Sequence, residues 1–147
     1  MSRRTRSFLF DNKNGRLYTA TATKISSLTQ NDSALSGSGS SGFEKAYRYT
    51  GTLETNTGTL KIYLHKAATL TEIDLFVGTA PSGSSINLDI NKNGTSVATP
   101  SIAADNTSNT GISANISFAE GDYITVDIDQ VGSSTAGSDL YAVLTFT

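Results

Sequence analysis

The sequence predicts an all-β protein, an antiparallel β-sandwich or jelly roll with an extended N-terminal arm. The first observation is composition: 41 of the 147 residues are Ser or Thr, 13 are Gly and only 2 are Pro. Thr suits half-buried pleated strands, while Ser and Gly suit the turns between them. The second observation is periodicity, because apolar and polar residues alternate with a period of two in segment after segment. Short alternating strands separated by turn residues are typical of sandwiches and jelly rolls.

Residues 1–42 are predicted to be an arm and linker, and residues 43–147 the sandwich domain. Ser33–Gly42 has the Gly/Ser composition of a flexible linker. Before it lie two short candidate strands, Ser7–Phe10 and Arg16–Thr23, with the tight-turn pair Asn14-Gly15 between them. They could form a hairpin or lie extended on a partner, since alone they bury too little apolar surface to be stable.

Eight segments of the domain alternate as strands do. They are Phe43–Tyr49, Leu60–Leu64, Thr71–Val77, Ile86–Ile90, Thr95–Ala98, Ile112–Phe118, Tyr123–Asp129 and Leu140–Phe146. Within them the aliphatic rows predict one buried face per strand, as in Leu60, Ile62 and Leu64. Asn93-Gly94 predicts a type I′ hairpin turn, and Glu120-Gly121-Asp122 predicts a sharp corner.

Aromatic residues predict an oligomer, most simply a homotrimer. Five of them fall opposite the aliphatic rows or at strand edges: Tyr47, Tyr49, Tyr63, Phe76 and Tyr141. Aromatic side chains left on the surface of a soluble domain are best explained by a subunit interface.

Charge divides the chain into a basic and an acidic part. The net charge is −2, yet residues 1–66 carry ten Lys or Arg against four Asp or Glu, whereas Lys92 is the one cationic residue of 67–147. At the basic end, Arg3, Arg4 and Arg6 precede Phe8 and Phe10. We interpret these five residues as a partner-binding segment that docks on an acidic neighbour with the two rings as anchors. There are two alternatives: the arginines bind nucleic-acid phosphates, or the arm is disordered.

Catalytic chemistry has little support in the residues. Cysteine is absent, and His65 is the only histidine, without the spacing of a triad. Asp127 and Asp129 project from one face of a predicted strand with Asp89 nearby, so a calcium site is the alternative to a solvated carboxylate row. We predict a protein that is not an enzyme and has no catalytic residue, no metal and no cofactor.

Neither a membrane-spanning stretch nor a secretory signal is predicted. No segment approaches about 18 consecutive apolar residues, and the basic start is not followed by a signal-type apolar run. We expect synthesis in a host cytoplasm.

Residues 68–147 resemble a β-sandwich module of tailed-bacteriophage structural proteins. The resemblance rests on Leu70–Ile73, Ile86–Thr95, Glu120–Gly132 and the final strand from Asp139-Leu140. It implies a non-enzymatic virion protein. A small sandwich with an extended arm is suited to attach to an existing protein lattice. We therefore expect a capsid cement (decoration) protein that binds the major capsid protein and binds neither nucleic acid nor a membrane. The alternative is a short tail-fibre or tail-tip protein that recognises a cell-surface glycan. A secreted lectin-like module is disfavoured, because the chain lacks both Trp and a signal.

The arm is predicted to attach the protein to the particle. A chain that starts at Phe43 should fold yet fail to join virions, because the basic and aromatic segment is missing. Replacing Arg3, Arg4 and Arg6 together with Ala should weaken attachment in a salt-dependent way. Decoration of stripped particles measures both effects, and equal decoration by the truncated chain would contradict the prediction.

Overall fold

The structure, a computed structural model, describes residues 42–147. These residues contain nine antiparallel strands. The predicted arm, with Ser7–Phe10 and Arg16–Thr23, lies outside these residues. The strands are β1 (Phe43–Thr52), β2 (Ile62–Tyr63), β3 (Ala68–Phe76), β4 (Ile86–Lys92), β5 (Thr95–Ala98), β6 (Ser101–Ile102), β7 (Ser108–Phe118), β8 (Tyr123–Val131) and β9 (Ser138–Phe146). Within this range no helix has the length and apolar character required to cross a bilayer.

The strands form two sheets. The first, sheet A, has the order β1-β9-β3-β7, and the second, sheet B, has the order β2-β8-β4-β5 with β6 also paired to β4. In sheet A the pairs Phe43↔Phe146 and Leu70↔Phe146 set the register of β9 between β1 and β3. The predicted antiparallel β-sandwich is therefore confirmed.

The core lies between the sheets and is built from the predicted alternating rows. Ile73 and Leu75 of β3 and Leu140, Ala142 and Leu144 of β9 are fully buried in sheet A. In sheet B the fully or almost fully buried row consists of Ile86, Leu88, Ile90, Ile124, Val126 and Ile128. Since side chains alternate along a strand, this arrangement turns the intervening polar residues outward.

Aromatic rings close one end of the core around Phe146. Its ring stacks on Phe43 with centroids 5.1 Å apart, and it meets Phe118 edge-on at 5.8 Å. Stacked and edge-to-face pairs add to the free energy gained by burying the rings. Phe146 therefore joins β1, β7 and β9 at this end.

The Asn93-Gly94 turn is confirmed. Asn93 has a φ of 53° and Gly94 a φ of 86°, the left-handed values that both central residues of a type I′ turn require. The turn joins β4 to β5 and carries the chain back along the outer edge of sheet B.

Three predicted orientations are wrong. Tyr49 is half-buried against the core, because it falls in register with the buried Leu140 of β9. Tyr47 lies in the core, with only 6% of its surface exposed, because it falls in register with the buried Ala142 of β9. Leu60 is 59% exposed rather than buried. The predicted strand Leu60–Leu64 shrinks to Ile62–Tyr63, since the residues before it form a loop instead of a ladder.

Strand β6 was not anticipated, because two residues beyond Pro100 carry no readable alternation. The row Ile112, Ala114 and Ile116 of β7 is only half-buried, as expected of an edge strand with one neighbour.

We expect Phe146→Ala to lower the free energy of unfolding by about 3–5 kcal/mol, because the substitution opens a cavity among three packed rings. Phe76→Ala is the matched control. The Phe76 ring is 42% exposed, so its loss should cost less than about 1 kcal/mol in dilute solution. Urea denaturation followed by circular dichroism measures both, and similar losses in the two variants would contradict the packing described above.

Candidate functional site

A cleft of about 340 Å³, lined mainly by polar residues, opens on the outer face of sheet B. Its floor consists of Asn91 from β4 and of Thr125 and Asp127 from β8. Asn91 pairs directly with Thr125 across the two strands, and Asp89 pairs with Asp127 one step along. Because outward residues on neighbouring strands fall side by side, the ladder holds these polar groups in fixed positions.

The loop 57–61 forms one wall of the cleft. Asn56 forms an antiparallel bridge with Ile128, and Ile62 pairs with Ile124, so the chain leaves the edge of β8 only between them. The backbone N–H of Gly58 donates to Asp127 Oδ1 at 2.7 Å. A Cβ at position 58 would lie 2.0 Å from the carbonyl oxygen of Val126. Only glycine fits here, and this close approach sets the depth of the cleft.

Aromatic and cationic side chains lie at the opposite end. Tyr123 lines the cleft together with Gly94 of the hairpin turn. Lys61 Nζ lies 4.5 Å from the centroid of the Tyr123 ring. Tyr63 packs against the same ring with centroids 5.6 Å apart and remains 46% exposed. The Lys61 ammonium is thus held at the cleft by the ring, and its backbone directly precedes β2.

A hydrogen-bond network that includes Asn93 and Asp122 fixes the backbone of Tyr123. Asn93 Oδ1 accepts from the Tyr123 N–H at 3.0 Å, and Asn93 Nδ2 donates to Asp122 Oδ1 at 2.7 Å. Asp122 Oδ2 accepts from the Ala119 N–H at 2.7 Å and lies 3.3 Å from Lys92 Nζ. The hydrogen bond from Asn93 foremost, then that from Ala119, holds the pKa of Asp122 below its usual value.

The cleft presents both donors and acceptors. Asn91 Nδ2 donates to Asp127 Oδ2 at 3.2 Å, which leaves the Asn91 carbonyl oxygen as an acceptor. Asn91 and Thr125 are each only 8% exposed, and they are the buried polar residues of the described range. Burying polar groups costs free energy unless they find partners. Their position at a cleft floor suits a ligand that forms several hydrogen bonds at once.

The three carboxylates of the calcium alternative do not form one cluster. Asp89 and Asp127 are cross-strand neighbours, but Asp127 lines the cleft and accepts from the Gly58 N–H, whereas Asp89 accepts a hydrogen bond from Ser96 at 2.6 Å. Asp129 follows a register shift of the β4–β8 ladder and lines a separate depression with Thr55, Asn56 and Thr57. Across residues 42–147, no three His, Cys, Asp or Glu side chains are placed to hold a metal ion.

The other predicted positions lie away from the cleft. His65 is exposed, in a shallow depression with Phe43, Lys45 and Lys66. The partner-binding residues predicted in the arm (Arg3, Arg4, Arg6, Phe8 and Phe10) lie outside the described residues, so that prediction stays a prediction.

Sequence reasoning missed most of the cleft. Lys61, Asn91, Tyr123 and Thr125 looked like ordinary outward residues of separate strands. The available signal was the outward polar row of β8 beside that of β4, but their register requires knowing that these two strands are neighbours. Nothing in the local pattern predicted that Gly58 packs on the backbone of β8.

No protein-family model matches the sequence, and no curated protein does so. Similar solved structures include a carbohydrate-binding module CBM36 in complex with calcium and xylotriose, 12% identical, which covers 71% of this chain and 87% of that one with a TM-score of 0.37. Another is the CBM36-1 domain of a multidomain xylanase from the hindgut metagenome of Trinervitermes trinervoides, 12% identical, covering 69% and 96% of the two chains with a TM-score of 0.38. Similarity this low says nothing about the residues of the cleft.

The hydrogen-bond network of Asn93 and Asp122 predicts a pH-dependent contribution to the free energy of unfolding. Because the folded pKa of Asp122 is lowered, its ionised form stabilises the fold above the unfolded pKa of about 3.9, and this contribution is lost as the pH falls through the folded value. We therefore expect Asp122→Asn to be less stable than the natural chain near neutral pH, with the difference narrowing in acid.

Urea titrations from about pH 7 to about pH 2.5, below the ordinary Asp pKa, measure that difference. Asn93→Gly is the second variant, since it removes the main hydrogen-bond donor to Asp122 while tolerating the positive φ. In that variant the Asp122 pKa, read by carboxyl-carbon NMR, should rise. A stability difference that stays constant with pH would contradict the assignment.

Proposed function

We propose that residues 42–147 form a non-catalytic saccharide-binding domain of a bacteriophage particle, and that the cleft on sheet B binds a glycan of the host cell surface. The observation that carries the proposal is the set of fixed polar groups Asn91, Thr125 and Asp127 on the cleft floor beside Lys61 and Tyr123. The phage assignment itself rests on the sequence resemblance.

The chemistry of the cleft complements sugar hydroxyl groups. Each sugar hydroxyl both donates and accepts hydrogen bonds, and neighbouring hydroxyls on a ring lie close enough to share one planar side chain. Asp127 offers acceptor oxygens and Asn91 a carbonyl, while Lys61 donates. Binding sites use a few positioned polar groups of this kind to orient a ligand.

Tyrosine rings supply the apolar component. One edge of a pyranose ring carries C–H groups that pack on aromatic surfaces. Tyr63 is 46% exposed beside Tyr123 at the mouth of the cleft. The strand pairing of Ile62–Tyr63 with β8 holds both rings at this end.

The cleft is preorganised. Its floor belongs to two central strands of sheet B, and its wall is fastened by the hydrogen bond between Gly58 and Asp127. Rigid sites lose little conformational entropy on binding, so more of the interaction energy appears as affinity. One shallow cleft binds weakly, and many copies on a particle would convert this into avidity.

The capsid-cement prediction remains the second candidate. It depends on arm residues that lie outside residues 42–147, whereas the receptor-binding alternative is supported by the cleft. The two functions use different parts of the chain.

The test is an array of bacterial surface polysaccharides (capsules, O-antigens and teichoic acids) probed with the full chain and followed by calorimetry on any glycan bound. Asp127→Asn and Asn91→Ala should each weaken binding about 5- to 100-fold, as expected when one polar partner is removed, about 1–3 kcal/mol. Asp127→Asn keeps the shape of the side chain, so the Gly58 wall is retained.

Asp105→Asn is the matched control, because it removes the same charge from an exposed loop between β6 and β7. Its affinity should equal that of the natural chain. Failure of the natural chain to bind any polysaccharide on the array, or equal binding by Asp127→Asn, would overturn the proposal.

A further inference from the structure

A second depression adjoins the cleft on sheet B and has no part in the function proposed above. It has a volume of about 320 Å³ and is lined by Thr55, Asn56, Thr57, Ile128 and Asp129. We call it the Asp129 depression. Thr57 also lines the cleft, so the cleft and the depression share one wall. The two are therefore neighbouring parts of one surface along β8.

A β-bulge places Asp129 in the depression. The ladder between β4 and β8 passes from Leu88↔Ile128 to Asn87↔Gln130, so Asp129 is an extra residue of β8 with no partner on β4. Bulges change the direction of a side chain and are over-represented next to functional sites. The Asp129 side chain is exposed, so its carboxylate oxygens are accessible to a ligand.

The segment that walls the depression is fixed to β8. The Asn56 N–H donates to the Ile128 carbonyl at 3.0 Å, and the Ile128 N–H donates to the Asn56 carbonyl at 2.9 Å. Thr55 and Thr57 lie on either side of Asn56, and both are exposed. Because their backbone is already ordered, a ligand that binds their hydroxyl groups pays little additional conformational entropy.

The outward side chains of β8 set the length of the combined surface. Tyr123 lines the cleft, and Asp129 lies in the depression six residues further along the strand. At about 3.3 Å per residue, this separation is about 20 Å. A single sugar ring is too short to reach from one to the other, whereas consecutive linked sugars can do so.

We propose that the cleft and the Asp129 depression are successive subsites for one polysaccharide chain that lies along β8. The inference rests on the proposed saccharide-binding function and specifies its ligand, a stretch of several linked sugars instead of a single sugar. In the depression the hydroxyl groups of Thr55 and Thr57 donate and accept hydrogen bonds, and the Asp129 carboxylate accepts them. Sugars joined in one chain occupy the second subsite without a second loss of translational freedom.

The experiment measures affinity against ligand length. The probes are oligosaccharides from a disaccharide upward, made by partial acid hydrolysis of the polysaccharide that the full chain binds best on the array. Calorimetry should show a rise in affinity of at least about tenfold once the oligosaccharide is long enough to reach the depression, because a second set of hydrogen bonds then forms. Asp129→Asn should reduce the affinity for these long probes about fivefold or more and leave disaccharide binding unchanged.

Asp105→Asn is again the matched control, because it removes the same charge from the exposed loop between β6 and β7. It should bind probes of every length as the natural chain does. NMR provides a second measurement. The amide signals of Asn56 and Asp129 should shift with long probes only, whereas those of Asn91 and Thr125 should shift with all of them.

Two results would overturn the inference and leave the proposed function intact. One is an affinity that does not rise with length although Asp127→Asn still weakens binding. The other is an Asp129→Asn variant that binds long probes as tightly as the natural chain does, with no shift of the Asn56 amide signal. Absence of binding to any polysaccharide would overturn both proposals, so the two failures are distinguishable.

Discussion

The packing of two alternating apolar rows against each other is the constraint on which the rest of this domain depends. The buried residues of the two inner faces are mostly Ile, Leu and Val, with Phe146 at one end. Since a strand cannot turn two successive side chains the same way, satisfying the core forces the intervening polar residues outward. The cleft on sheet B and the exposed aromatic rings on sheet A are both consequences of that alternation.

The outer faces differ because their outward-facing residues differ. On sheet B the outward residues of β4 and β8 are small and polar, and a glycine closely packed on β8 folds a loop beside them. On sheet A the outward residues include Phe76 and Tyr141. Sheet B thus carries a cleft lined by polar residues, whereas sheet A carries exposed aromatic rings.

Much of the fold was predictable, because it follows from local alternation and turn chemistry. The rows Ile73–Val77 and Ile124–Ile128 and the Asn93-Gly94 turn are readable within a few residues. The errors arose where pairing with a distant strand determines whether a side chain is buried. Tyr47 was predicted at the surface, but it pairs with Ala142 of β9 and is buried. Leu60 was predicted in the core, but it lies in a loop that leaves β8 and is exposed. The cleft depends entirely on such long-range pairing, so only Asp127 was noticed beforehand.

The strand order of sheet A also has a consequence during synthesis. Strand β9, the last of the nine, lies between β1 and β3, and Phe146 completes the ring cluster with Phe43. Sheet A therefore cannot assemble until residue 146 has left the ribosome. At about 5–20 residues per second, the roughly 100 residues after Phe43 take about 5–20 s to emerge. Throughout that interval β1 and β3 lack the strand that joins them. The edges of these strands that pair with β9 therefore stay unpaired while the chain is being synthesised. Pairing of β9 is therefore the step that joins β1 to the rest of sheet A.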